Sequence, residues 1–115
     1  MKIWIDGSGW NGKVSRWMVA AEDGRTKGDC FDYERTNNEM EYGALLDALN
    51  SFAKKEDVIY SDSQLVVNQV NGKWRVKEQR LFALCQAAQA HMKEIGCSLV
   101  WIPREQNKAG HLLES

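Results

Sequence analysis

Two turn signals, Asn11-Gly12 and Asp23-Gly24, punctuate the start of the chain and decide much of what it can fold into. Each pair supplies residues that tolerate the positive φ of a tight chain reversal. The segments they separate, KIWIDGS and VSRWMVAA among them, are rich in strand formers, so two consecutive hairpins and an antiparallel meander of three strands are expected. In the first strand, residues 2–8, alternation puts Ile3 and Ile5 on one face and Trp4 and Asp6 on the other. Asp6 thus stands near the end of an apolar strand.

Beyond the meander the apolar period changes. In TNNEMEYGALLDALNSF, Met40, Ala44, Ala48 and Phe52 recur every fourth residue with Leu45 and Leu49 beside them, which is a helical stripe. Thr36 followed by Glu39 forms a capping box that marks the helix start. DVIYSDS is a short strand whose helical crossover implies parallel pairing, and it delivers Asp62 to its C-terminal end. A short helix over 63–70 closes at Asn71-Gly72, a longer one over 77–95 stops at Gly96, CSLVWIP is the last strand, and REQNKAGHLLES is a loop entering a final helix. The order βββαβααβα predicts an α/β chain: a mixed five-stranded sheet, three antiparallel strands then parallel additions, flanked by helices in a single domain of residues 1–115.

Composition sets limits but names no chemistry. A hydrophobic fraction of 43% and a charged fraction of 27% suit a globular protein, and no run is long enough for a membrane span. The N-terminus meets Asp6 too soon for a signal-peptide core, so the expected location is the cytoplasm. Cys30, Cys85 and Cys97 fit neither a disulfide framework nor a zinc site. Net charge is −1, so any nucleic-acid surface must be a local patch. A monomer is the default expectation.

Carboxylates at the ends of apolar strands are costly unless solvated or matched by a cation. Asp6 and Asp62 repel if brought together, which divalent ions relieve, and oxygen ligands select magnesium or manganese. Either aspartate standing alone is better explained as a turn initiator at a strand end. Glu39 is accounted for by the capping box, whereas Glu41, at the edge of the buried stripe, can look toward the sheet.

Four segments, IDGS, TNNEMEYGAL, YSDSQLVVNQVNGKW and VWIPREQNKA, occur in an order that resembles the type 1 ribonuclease H family over nearly the whole chain. The resemblance implies a ribonuclease H-like fold with catalytic, metal-holding carboxylates at Asp6, Glu41 and Asp62. It also implies two Mg2+ or Mn2+ ions, an RNA/DNA hybrid as partner, and hydrolysis of the RNA strand to 5′-phosphate and 3′-hydroxyl ends. Asn37, Asn38 and Gln64 match positions that contact the hybrid's minor groove, where amides can read the 2′-OH. Lys73 and Trp74, within the basic GKWRVKEQR, suit a DNA backbone and its sugars. The basic helix and loop that longer members insert here is lacking, which implies weak, salt-dependent hybrid affinity.

The pattern breaks near the end. Where the family carries Asn and then a catalytic Asp four residues later, this chain has Asn107 and His111. On one helix Asn107, His111 and Glu114 would share a face, and His111 is the preferred fourth ligand, with Asn107 and Glu114 as alternatives. A neutral imidazole there predicts a manganese preference. Aligning Ala109 with the family's Ala instead puts Gly110 at the Asp position. The mobile histidine of some members is absent between Trp101 and Asn107; Arg104 and Glu105 stand in that loop. The competing readings are a hybrid-binding module of the same fold that cuts poorly and a nuclease of the wider superfamily, the latter disfavoured by TNN and SDSQ.

Overall fold

The computed structural model describes residues 1–114. The meander is β1 (Lys2–Ser8), β2 (Ser15–Ala21) and β3 (Thr26–Phe31). It is followed by α1 (Asn37–Ser51), β4 (Val58–Ser61), α2 (Gln64–Val70), α3 (Gln79–Ile95), β5 (Ser98–Trp101), a 3-10 turn (Arg104–Gln106) and α4 (Lys108–Glu114). Both hairpin glycines take the positive φ their turns require, 99° at Gly12 and 93° at Gly24. The strands make one mixed sheet in the order β3-β2-β1-β4-β5, the architecture the element order predicts.

β1 lies at the centre, antiparallel to β2 (Ile5 opposite Val19) and parallel to β4 (Ile3 opposite Ile59). Its alternation divides two cores. Ile3 and Ile5 are buried with Val19, Ile59 and Leu99 against α1, α2 and α3, which contribute Leu45, Ala48, Val66, Leu81 and Ala88. Trp4 faces the other way and packs with Ala20 and with Ala109 of α4. Truncating such a buried aliphatic side chain costs about 2–5 kcal/mol, so the strand that carries Asp6 is held from both faces.

The capping box forms as expected: Thr36 Oγ1 accepts from the Glu39 amide at 3.1 Å, and Glu39 Oε1 accepts from the Thr36 amide at 3.0 Å. It fixes where α1 starts, and so the direction in which Glu41 leaves the helix. The long third helix begins two residues later than its apolar stripe suggests. Glu78 is extended there, and its carbonyl accepts from Leu81 and Phe82 at 3.0 and 3.2 Å. Gly96, in the left-handed region at φ 86°, ends it. No helix among the described residues is long and apolar enough to cross a membrane.

Candidate active site

Asp6 is the sixth residue of the chain and only 1% exposed, at the C-terminal half of the central strand. Its neighbour explains how a helix reaches it. A Cβ on Gly7 would stand 2.3 Å from the Met40 carbonyl carbon and 2.4 Å from the Glu41 amide nitrogen, so glycine alone lets α1 ride directly on β1. That contact sets Glu41, 7% exposed, beside Asp6. Asp62 follows β4 directly, and because β4 runs parallel to β1 the two strands finish at the same edge of the sheet.

Asp6, Glu41 and Asp62 each offer a carboxylate oxygen within 4.8 Å of the others. Asp6 Oδ1 and Glu41 Oε2 are buried and accept no hydrogen bond. Buried acceptors are almost always satisfied, so two orphans side by side mark a place that suits a further positive charge, beyond the Arg104 guanidinium 3.7 Å from Asp6 Oδ1. Burial is the main cause pushing the Asp6 carboxyl above its ordinary value, with the Asp62 charge in the same direction. Burial also pushes Glu41 well above its ordinary value, and the Asp6 charge adds to that. A proton is therefore retained by the Asp6/Glu41 pair into a range where isolated carboxyls are ionised.

Cationic and amide groups approach from the chain's end. Arg104 Nη1 lies 3.3 Å from Asp62 Oδ2 and 3.7 Å from Asp6 Oδ1, while its Nη2 lies 2.9 Å from Glu114 Oε1. Asn107 is fully buried: its Nδ2 donates to the Ile5 carbonyl at 2.9 Å and to Asp62 Oδ2 at 3.0 Å. Its Oδ1 accepts from the Ala109 amide at 3.1 Å, so the same side chain caps α4.

This cap corrects the expectation for His111. Asn107 stands outside α4 rather than inside it, and the helix phase it sets brings Gly110, not His111, over the acids. A Cβ on Gly110 would lie 3.3 Å from Asp6 Oδ2. One residue further is a rotation of about 100°, and His111 is exposed in a different cleft with Ala20, Ala21, Glu22 and Lys108. The structure therefore does not bring His111 to the carboxylates. Glu114 does reach the acid cleft, through Arg104, and Asn107 contacts Asp62 as a donor.

The other predicted positions are divided between this cleft and its surroundings. Asn37 lines it and also an adjoining cavity of about 820 Å³, and its Oδ1 accepts from the Gly9 amide at 2.6 Å. Asn38 is half-buried beside it, and Gln64 is exposed at the first residue of α2. Lys73 and Trp74 sit with Lys77 and Leu65 around a separate groove, Trp74 being 48% exposed. Sequence reasoning missed the carboxylate contacts of Arg104, the part of Arg35 and Arg80 in the larger cavity, where both lie 3.8 Å from Glu39, and the role of Gly7. Gly7 had a visible signal, a glycine directly after a strand-borne acid, and Arg35 stands four residues before Glu39; the Arg80 and Arg104 contacts are long-range and had none.

A mixed sheet in this strand order, with acids where β1 and β4 end and α1 touches β1, defines a ribonuclease H-like protein. The family described as reverse transcriptase-like matches residues 12–114, and the chain belongs to it. Among solved structures, LC11-RNase H1 in complex with RNA/DNA hybrid superposes with a TM-score of 0.81 at 28% identity, covering 97% of this chain and 91% of that one. The N-terminal RNase H domain of Rv2228c from Mycobacterium tuberculosis gives a TM-score of 0.76 at 28% identity, over 92% and 85% of the two chains. In sequence, the bifunctional protein Rv2228c of Mycobacterium tuberculosis is 37% identical over 76 residues, 63% of this chain. The match spans about a fifth (21%) of that relative's length.

Proposed function

We propose that this protein is a metal-dependent endonuclease that hydrolyses the RNA strand of RNA/DNA hybrids, leaving 5′-phosphate and 3′-hydroxyl ends. The observation that carries the reading is the trio Asp6, Glu41 and Asp62 with two buried oxygens lacking any donor. Such hard oxygen ligands suit Mg2+ or Mn2+, and these three residues would hold the ions. When bound, a pair of such ions stabilises the attacking and leaving oxygens of an in-line phosphoryl displacement.

The chain's own residues do the rest. Gly7 and the capping box aim Glu41, Asn107 holds Asp62 by its Oδ2, and the sheet edge fixes the spacing of Asp6 and Asp62. Asn37, which lines the acid cleft, and Asn38 and Gln64 would present amide groups that can donate to and accept from a minor-groove edge and its 2′-OH. Lys73 and Trp74 offer charge and a ring face to the DNA strand. The solved complex of LC11-RNase H1 with RNA/DNA hybrid supports this choice of substrate.

A second reading, a hybrid-binding module that cuts weakly, draws on Gly110, which puts a hydrogen where a fourth carboxylate could sit against Asp6. One assay separates the two. RNA/DNA, RNA/RNA and DNA/DNA duplexes are incubated with the protein in Mg2+ and in Mn2+, with Asp6→Asn as control. Hybrid-selective cutting abolished in Asp6→Asn is expected. Hybrid binding without metal-dependent cutting would favour the module, and cutting that survives Asp6→Asn would overturn the assignment of the site.

A further inference from the structure

Arg104 is the one cation that the described residues place on both Asp6 and Asp62. It springs from the 3-10 turn, whose backbone is set by Pro103 and by the Asn107 amide donating to the Arg104 carbonyl at 3.0 Å. The side chain is 55% exposed, whereas those of Asp6 and Asp62 are 2% and 10% exposed. The guanidinium therefore stands at the mouth of the acid cleft, open to water behind it, and a rotamer change withdraws it without opening the core. Asp62 Oδ2 accepts from Arg104 Nη1 at 3.3 Å and from Asn107 Nδ2 at 3.0 Å, leaving little of that oxygen for another partner.

We propose that Arg104 is a tethered counter-cation that occupies the carboxylate cluster in the metal-free protein and competes with the divalent ion for it. Glu114 is the tether's second anchor, holding Nη2 at 2.9 Å, so that the displaced guanidinium stays at the rim of the cleft. A hard divalent ion takes carboxylate oxygens at about 2.0–2.1 Å, a place from which the neighbouring guanidinium must withdraw. Arg104 thereby sets the metal concentration at which the site fills, and its role is to tune that affinity rather than to touch the scissile bond. The inference rests on the metal-dependent reading above.

The test is direct titration of the full chain with MnCl2 in the absence of nucleic acid, by calorimetry and by the electron-spin-resonance signal of free Mn2+. Wild type, Arg104→Gln and Arg104→Lys are compared. Arg104→Gln is expected to bind Mn2+ roughly tenfold more tightly, equal to about 1.4 kcal/mol, and to melt at a lower temperature than wild type in chelator. Arg104→Lys, which keeps the charge, is expected to stay close to wild type. Unchanged or weaker binding by Arg104→Gln overturns the inference and leaves the metal reading standing, and so does equal tightening by both variants. A wild type that takes up no Mn2+ overturns both.

Discussion

Glu41→Gln is expected to stabilise the metal-free protein at neutral and alkaline pH while removing its response to metal. Two unit charges 4.8 Å apart, the limit within which the acid oxygens lie, repel by about 3.5 kcal/mol at an effective dielectric of 20. The realised cost is smaller than this full-charge repulsion, since the pair relieves itself by keeping a proton. Gln removes the charge with little change of shape, and its amide can donate to the orphaned Asp6 Oδ1. A gain of about 1–2 kcal/mol at pH 8 follows, which raises the melting temperature by roughly 4–10 °C in a domain of this size.

The pH profile carries the sign. Glu41 is raised well above its ordinary value in the fold, so above the unfolded value of about 4.3 the native state binds more protons than the unfolded one. Stability is then lost as pH rises from there through the folded value. Melting curves in chelator from pH 4 to pH 9 should show wild type falling behind Glu41→Gln as pH rises, and the two converging at the acid end. Added Mn2+ should raise the wild-type melting temperature, as a ligand of the native state does, and raise that of the variant far less. A variant that melts below wild type at pH 8 in chelator, or that runs parallel to it across the range, would refute the claim that charge crowding dominates at Glu41.

Asn107→Ala removes the cap of α4 and leaves the Ile5 carbonyl without its side-chain donor. Chemical denaturation should show a loss of about 2–3 kcal/mol, with hybrid cutting reduced because Asp62 loses a restraint. Gly110→Asp places a fourth carboxylate against Asp6. It should lower the melting temperature in chelator by a few degrees, tighten Mn2+ binding severalfold, and raise the cutting rate. A titration and a rate measurement on the same preparation check both.

The strands, helices and their order are legible in the sequence because local chemistry sets them. Asn11-Gly12, Asp23-Gly24 and Gly96 take the left-handed or turn conformations their residue types favour, and Thr36 and Glu39 cap α1 as their spacing dictates. Alternation in β1 sorts Ile3 and Ile5 from Trp4 correctly because both faces of the strand are covered. The convergence of Asp6 and Asp62 is also legible, since parallel pairing brings strand ends to one edge. The placing of Glu41 is only half so. Its direction is a matter of helix phase, but its distance from Asp6 depends on how closely α1 packs, and Gly7 decides that through a contact between residues far apart in the chain.

The fourth position shows where sequence spacing stops being enough. Counting four from Asn107 assumes that Asn107 is already helical, and on that assumption His111 faces the acids. Asn107 instead caps α4, its side chain held by the Ile5 carbonyl, Asp62 and the first amides of the helix, and the residue this arrangement sets against Asp6 is Gly110, three positions on rather than four. The consequence is electrostatic. With glycine there, three carboxylates rather than four gather within 4.8 Å of one another, and Arg104 balances part of their charge before any ion arrives. Removing Arg104 and adding a carboxylate at position 110 should therefore act in the same direction on metal affinity and on metal-free stability. Because both changes bear on Asp6, their combined effect should depart from the sum of the separate ones.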